Sequence, residues 1–380
     1  MKKLIVTALF FLLVTKLKSQ NTFIQINGSQ PNSSQTSAVP FLLIAPDARG
    51  NSLGDAGAAT QPDVYSAHWN AAKLVSIEGD YGIGIGYVPW LRKIEPDIYL
   101  ATVSGFKKVG SNSALAFSVY YFNLGQTIFR DESGYQNGVG YPNEFSLEAT
   151  YSQKFGRNFS LGFTGKYIHS DLSNGQVFQG ALLNPGNTAA LDFSVYYRKL
   201  IENVNPRTFA FGMVLSNIGP KIAYGKDNKA FLPANLRIGF SYGINFNDLH
   251  QTNFSLDFNK LLVPNQLILD SSGKVISVVN SNVSALSGII SSFTNASGGF
   301  KQVIQEITIS PGFEYIYDRT LSLRTGLFLE NKNSGGRQYL NLGMGLKINS
   351  SFDFHISYLY NLNPISSLAN TFRISLGAVL

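Results

Sequence analysis

The sequence predicts an all-β fold: a transmembrane antiparallel β-barrel of about fourteen strands with an N-terminal hatch segment in its lumen. Three observations carry this expectation. Between Asp80 and Leu380, apolar and small polar residues alternate in segments of about ten, the length of a pleated strand that crosses a bilayer. The links between these segments alternate between tight and long. Charged residues make up only 14% of the 380 positions while aromatics reach 13%, where an ordinary soluble domain carries about 25% charge.

The alternation is regular enough to assign faces. Leu115, Phe117, Val119 and Tyr121 share one face of their segment, and Ala116, Ser118 and Tyr120 the other. Phe209, Phe211, Met213 and Leu215 repeat the pattern, as do Phe254, Leu256 and Phe258 against Ser255, Asp257 and Asn259. A soluble sandwich would place charge on its outer face, whereas here one face is aliphatic and aromatic. Segments begin near Asp80, Pro96, Ser111, Asn143, Arg157, Thr188, Pro206, Ala234, Gln251, Ile304, Thr320, Arg337, Phe352 and Thr371. Tight links at Lys107–Gly110, Lys154–Arg157, Tyr317–Thr320 and Asn349–Ser351 alternate with long ones at Asn123–Pro142, Ser170–Asn187, Ile218–Leu232 and Leu261–Val303. That asymmetry is the one between periplasmic turns and extracellular loops of outer-membrane barrels, and it sets both termini in the periplasm. The last segment, Thr371 to Leu380, places Phe372, Ile374, Leu376, Ala378 and Leu380 on one face, as a closing strand requires.

Composition excludes several classes. After residue 20 no apolar run approaches the roughly 18 residues of a membrane-spanning helix. Cys is absent, which removes disulfide scaffolds, thiolate metal sites and cysteine nucleophiles. Met1-Lys2-Lys3, the apolar run Leu4–Val14 and the polar stretch Thr15–Gln20 have the pattern of an export signal. The expected organisation is therefore a signal peptide over 1–19, an N-terminal extension and hatch over 20–79, and the barrel over 80–380.

Within the extension, Gln20 to about Ala38 is rich in Asn, Ser, Gln and Thr, and is not expected to order alone. Pro40 to Leu74 is rich in Ala and Gly, lacks strand alternation and is too apolar for a free tail. It is expected to fold into the lumen, with Gly82, Gly84 and Gly86 leaving room for it while Tyr81, Ile83, Ile85 and Tyr87 face lipid. Gly343 and Gly345 offer similar space elsewhere in the wall. Here Ala48-Arg49-Gly50, Leu53-Gly54-Asp55-Ala56-Gly57-Ala58, Asp63 and His68-Trp69-Asn70-Ala71-Ala72-Lys73-Leu74 resemble the N-terminal signature of FadL-like barrels. With Pro40-Phe41-Leu42-Leu43-Ile44-Ala45-Pro46-Asp47 the segment is most similar to the PorV (LptO) family of the type IX secretion system of Bacteroidetes. Where the family signature usually reads Asn-Pro-Ala, this chain has Asn70-Ala71-Ala72.

The resemblance implies a non-enzymatic outer-membrane component that associates with the translocon barrel. It also implies that the protein receives cargo through C-terminal signal domains and shuttles it to the cell-surface attachment complex. Outer-membrane lipids or lipopolysaccharide are further expected partners. The carried-over hatch motif is Arg49, Gly50, Gly54, Asp55, Gly57, Asp63, His68, Trp69 and Asn70. The rival reading is a FadL-like channel for hydrophobic solutes, in which the hatch opens a lateral path.

The 4 His residues (His68, His169, His250, His355) show no metal-type repeat, and neither a metal nor a cofactor is expected. Asp353, His355 and Ser357 share a lumen-facing register and could hint at a hydrolase, but neighbours on one face of a strand stand about 7 Å apart, too far for a nucleophile and its base. Gly82-Ile83-Gly84-Ile85-Gly86 alternates within a strand and opens no helix, so it is no dinucleotide loop. The lumen register carries both signs (Glu148, Lys166, Asp192, Arg237, Asp257, Arg324, Lys347, Asp353, Arg373), which favours paired networks over an ion filter. The net charge of +7 is scattered, so no nucleic-acid partner is expected. The outer loops contain apolar residues where solvent would favour polar ones. Trp90, Leu91, Leu267, Ile268, Leu269, Ile276 and Ile289 are therefore candidate partner contacts, unless the loops fold back over the barrel mouth. Ala285 to Phe293 reads as a short helix.

Overall fold

The computed structural model describes residues 37–380 except 92–94, 131–132, 173–176, 179–180, 183, 203, 225–228, 265–266, 270–274, 279–282, 295–298, 350 and 363–370. The expected signal segment thus lies outside the described residues. Fourteen antiparallel strands form a closed barrel in which each strand pairs with its neighbours in sequence and the last pairs with the first. The first seven are β1 (Tyr81–Pro89), β2 (Ile98–Lys108), β3 (Ser113–Leu124), β4 (Asn143–Phe155), β5 (Phe159–Asp171), β6 (Gly186–Ile201) and β7 (Arg207–Ile218). The remainder are β8 (Asn235–Asn245), β9 (His250–Leu261), β10 (Ile307–Tyr317), β11 (Leu321–Leu329), β12 (Gln338–Lys347), β13 (Phe352–Asn361) and β14 (Thr371–Val379). Every expected segment start falls within three residues of the observed one. The largest offset is Ile304, where a helix runs into β10 and delays the strand.

The face assignments hold in three dimensions. Tyr81, Ile83, Ile85 and Tyr87 are all about half exposed on the outer wall, while Ala116, Ser118 and Tyr120 are buried inside. Closure removes the unpaired edges that an open sheet would present to lipid. Short links at 109–112, 156–158, 202–206, 246–249, 318–320 and 348–351 gather at one end, and the long links at the other. Four long links are not structureless. Thr127–Arg130 pairs with Gln136–Gly140, Val177–Phe178 with Ala181–Leu182, Ile222–Ala223 with Lys229–Ala230, and Leu267–Leu269 with Val275–Val278.

The residues before β1 form an inner segment of short turns: a 3-10 turn at Pro40–Leu43, helices α1 (Ala48–Ser52) and α2 (Ser66–Trp69), and a second 3-10 turn at Ala71–Ser76. Its polar caps are local. Asp47 accepts the Gly50 N–H at 2.6 Å at the start of α1, and Asn70 accepts the Ala72 N–H at 3.0 Å. The apolar core lies between this segment and the wall. Phe41, Leu42 and Ile44 pack with Val88, Leu100 and Phe122 toward the long-loop end. Val64, Tyr65, Leu74 and Ile77 pack with Phe106 and Ala116 toward the other. The Ala38 N–H donates to Phe231 O in a long link, whereas Leu380 bonds Asp80 and Tyr81 beside the short turns. The described chain therefore begins at the long-loop end of the lumen and leaves it at the short-turn end; the N-terminus itself, expected on the short-turn side, lies outside the described residues.

Candidate functional site

The site is built from the inner segment and the inward register of the wall. Its centre is Trp69, whose indole lies between Gly50 and Gly57; a Cβ on either glycine would collide with the ring. Trp69 Nε1–H donates to Asp47 Oδ1 at 2.6 Å, and the Arg237 guanidinium stands 4.7 Å from the ring centroid. This accounts for Gly50, Gly57 and Trp69 as one packing unit. His68 meets Trp69 edge-on and lies against Tyr120, with ring centroids 5.0 and 5.7 Å away. Among the described residues no group of acidic or His side chains is arranged to hold a metal ion.

Arg49 ties the segment to itself and to the wall. It donates to Asp63 Oδ2 at 2.7 Å, to Gln61 O at 3.0 Å and side-on to Glu314 on β10 at 3.3 and 3.4 Å. Glu314 also accepts Arg324 Nε at 2.7 Å, so one carboxylate serves two guanidiniums. Asp55, at φ +62°, accepts the Asn51 amide at 2.9 Å and the Tyr339 hydroxyl at 2.6 Å. Gly54 takes φ +77° where it presses on the Leu327 backbone, a conformation and an approach that only glycine permits. Asn70 donates to Ala58 O and Val195 O at 2.8 and 2.9 Å. On β9, Asp257 Oδ2 accepts the Gly57 and Ala58 N–H groups at 2.7 and 2.9 Å, with Arg237 at 3.7 Å. The wall glycines are close-approach points: a Cβ on Gly84 would meet Val64 and Tyr65, on Gly86 Pro46, and on Gly343 Ser52. Every motif residue thus belongs to one packed assembly.

Several of the mixed charges inside the wall pair with one another, whereas Arg373 bonds a backbone carbonyl of the inner segment. Lys166 bridges Asp192 at 2.8 Å and Glu148 at 3.6 Å. His355 contacts Asp353 at 3.0 Å and Arg324 at 3.2 Å, while the Ser357 hydroxyl donates to Asn51 at 3.0 Å. Ser357 is turned to the inner segment instead of to His355, so these three form no nucleophile–base pair. Lys347 differs from the other charges on its register in being exposed. Sequence reasoning overlooked Glu314, and it placed Asp47 and Lys73 within the family signature without a role for either. Glu314 shares the inward parity of Thr308, Ser310 and Gly312, and that parity was the available signal. Lys73 is fully buried with its ammonium donating to Gly57 O at 2.7 Å and Thr60 at 3.1 Å, for which no local pattern exists.

Above the inner segment, at the long-loop end, lies a cavity of about 610 Å³ walled by Phe41, Ile44, Trp90, Phe122, Phe328 and Arg373 among others. Trp90 and Leu91 are half buried against the apolar cluster there, and Arg373 lies 5.7 Å from the Trp90 ring while donating to Ala45 O at 3.2 Å. Their packing follows the fold-back alternative. At the rim, burial opposes the Arg337 charge, but Glu330, bound through two nitrogens at 2.9 and 2.8 Å, raises its pKa overall. Leu267, Ile268 and Leu269 lie in a hairpin with the Ile276 strand, and their side chains are outside the described residues. Ile289 is half buried in a helix over Ala285–Thr294, which agrees with the expected helix.

With the barrel and its inner segment in place, comparison with known proteins decides the family. The model of the type IX secretion system protein PorV matches residues 27–267, more than half of the chain. The chain belongs to the PorV family. No curated protein sequence matches it. Among solved structures, the toluene transporter TodX of P. putida aligns with TM-score 0.53 at 10% identity, over 88% of this chain and 98% of that one. The toluene transporter TbuX of Ralstonia pickettii aligns with TM-score 0.51 at 11% identity, over 89% and 98%. At such identities the likeness is one of fold alone, a closed β-barrel, which is the fold the signature residues implied. The family places the protein in the outer membrane as a component of type IX secretion.

Proposed function

We propose that the protein associates with the type IX translocon barrel, receives secreted cargo through its C-terminal signal domains and passes it to the cell-surface attachment complex, without catalysing a reaction. The family match is the observation that carries this reading. The packed lumen supports it, because Arg49, Asp55, Asn70 and Ala72 each bond the wall or its tyrosine and serine side chains, which holds the inner segment as a fixed support for the loops above. Short turns face the periplasm and long loops the exterior, as in outer-membrane barrels generally. Affinity purification from native membranes, followed by mass spectrometry, tests the proposal: a very large barrel and signal-domain cargo are expected to co-purify, and their absence overturns it.

A channel for hydrophobic solutes is the second reading, favoured by the cavity at the long-loop end, whose wall is apolar at Phe41, Ile44, Trp90 and Phe122 although charged at Asp55, Arg237, Glu330 and Arg337. It predicts ligand-shaped density in that cavity in the isolated barrel and solute uptake by barrel-containing vesicles.

A further inference from the structure

The link between β9 and β10 contains two helices, α3 (Ala285–Thr294) and α4 (Gly299–Gln305), and α4 leads directly into β10. We propose that this helical pair lies on the outer rim of the barrel wall and buries its exposed apolar side chains in the acyl chains of the lipid leaflet at the long-loop end.

The position follows from Lys260. On β9 it shares the outward register of Leu256 and Phe258, and its cross-strand partners are Leu236 and Ile307. A lysine on this face is disfavoured in lipid, yet the Lys260 side chain is only 5% exposed. Its ammonium pairs with Glu306 at 2.6 Å, Glu306 accepts Gln302 of α4 at 3.2 Å, and the Phe293 ring of α3 lies 5.5 Å from the ammonium. The ion pair springs from the lipid-facing register at Lys260 and ends at Glu306, which also borders the mouth cavity, so the helices sit on the rim of the wall above β9 and β10. On α3 the small residues Gly288 and Ser292 are turned inward, and a Cβ on Gly288 would meet Phe231 and Pro264.

The outward face is apolar. Leu286, Ile290 and Phe293 repeat at the spacing of one helical face, and Leu286 and Ile290 are each 66% exposed. Phe300 and Ile304 continue the surface on α4, just before the outward Ile307 and Ile309 of β10. The patch is therefore continuous with the lipid-facing belt. Its polar groups are also suited to hydrocarbon, where each needs an internal partner. The ten residues of α3 carry no charge, and Ser291, Ser292 and Thr294 donate back to helix carbonyls at 3.0, 2.6 and 3.4 Å. On α4 the single charge, Lys301, is exposed, and a lysine there can reach the headgroups along its aliphatic stem. A soluble protein partner would account for the apolar face but not for its continuity with the belt.

The chain has no Cys, so single cysteines carry a unique probe. Ile290→Cys and Phe300→Cys would be labelled with bimane in the full-length barrel, reconstituted into phosphatidylcholine vesicles containing acyl-chain spin-labelled lipid. References are Leu342→Cys on the outer wall and Ser133→Cys in a long link; Leu286→Cys and Ile304→Cys replace either probe that fails to assemble. Quenching by the labelled lipid is expected to be comparable to Leu342→Cys and several-fold above Ser133→Cys, with protection from aqueous iodide. Iodide quenching equal to that at Ser133→Cys, without acyl quenching, overturns the proposal. So does protection that arises only in native membranes holding the secretion partners, which would mark a protein contact instead.

Discussion

Arg49 and Glu314, 265 positions apart in the chain, meet side-on in the lumen through two nitrogen–oxygen contacts of 3.3 and 3.4 Å. Glu314 holds Arg324 as well, so the inner segment and two wall strands share one buried carboxylate. Neutralising Glu314 takes away the carboxylate that Arg324 pairs with and one of the two that Arg49 pairs with, Asp63 being the other.

Glu314→Gln is therefore expected to loosen the inner segment, because breaking a buried pair costs about 3–5 kcal/mol. Limited proteolysis should cut between Val39 and Ile77 in the variant while the barrel retains heat-modifiable gel mobility. Equal protection in variant and wild type would show that apolar packing alone holds the segment.

Gly84→Leu tests the same packing by volume. The wall at Gly84 is in contact range of Val64 and Tyr65, and overpacking typically costs about 1–3 kcal/mol. The expected outcome is faster cleavage of the inner segment. A cleavage rate unchanged from wild type contradicts the close approach.

Facing along β7 is tested by a pair of substitutions. Phe211 points outward and contacts Phe240 at 5.4 Å, while Ser216 lies on the opposite register and donates to Asn235 O at 3.5 Å. Phe211→Arg is expected to hinder assembly, since arginine on the lipid face costs about 2–4 kcal/mol at mid-membrane. Ser216→Arg should be milder. Equal yields of assembled barrel from the two variants refute the facing.

Trp90→Ala combined with Leu91→Ser addresses the mouth. Both residues are half buried against the Phe41 and Phe122 cluster, and Trp90 also covers Arg373. The loss of packing is expected to reduce stability by up to about 3 kcal/mol, below the cost of emptying a full core site. Heat-modifiability should shift to lower temperature before any loss of partner recovery. An unchanged unfolding temperature with weakened co-purification would return these residues to the partner surface.

The barrel was legible in the chain because a strand's side chains alternate with a period of two, so Tyr81, Ile83, Ile85 and Tyr87 declare a lipid face without reference to anything distant. The three glycines between them declared the thin wall by the same local rule. The motif residues Gly50, Gly57 and Trp69 were legible as a signature, but the sandwich they form was not. Glu314, Lys73 and the Asp257 contacts to Gly57 and Ala58 were decided by tertiary structure alone, since closure of the ring brings positions some 200 residues apart together across the lumen. The same holds at the rim. Apolar composition in the long links marked a surface in need of cover, and composition cannot distinguish its possible covers. Trp90 is covered by the inner segment and Lys260 by two helices, because only the folded wall determines which side of it a loop descends on.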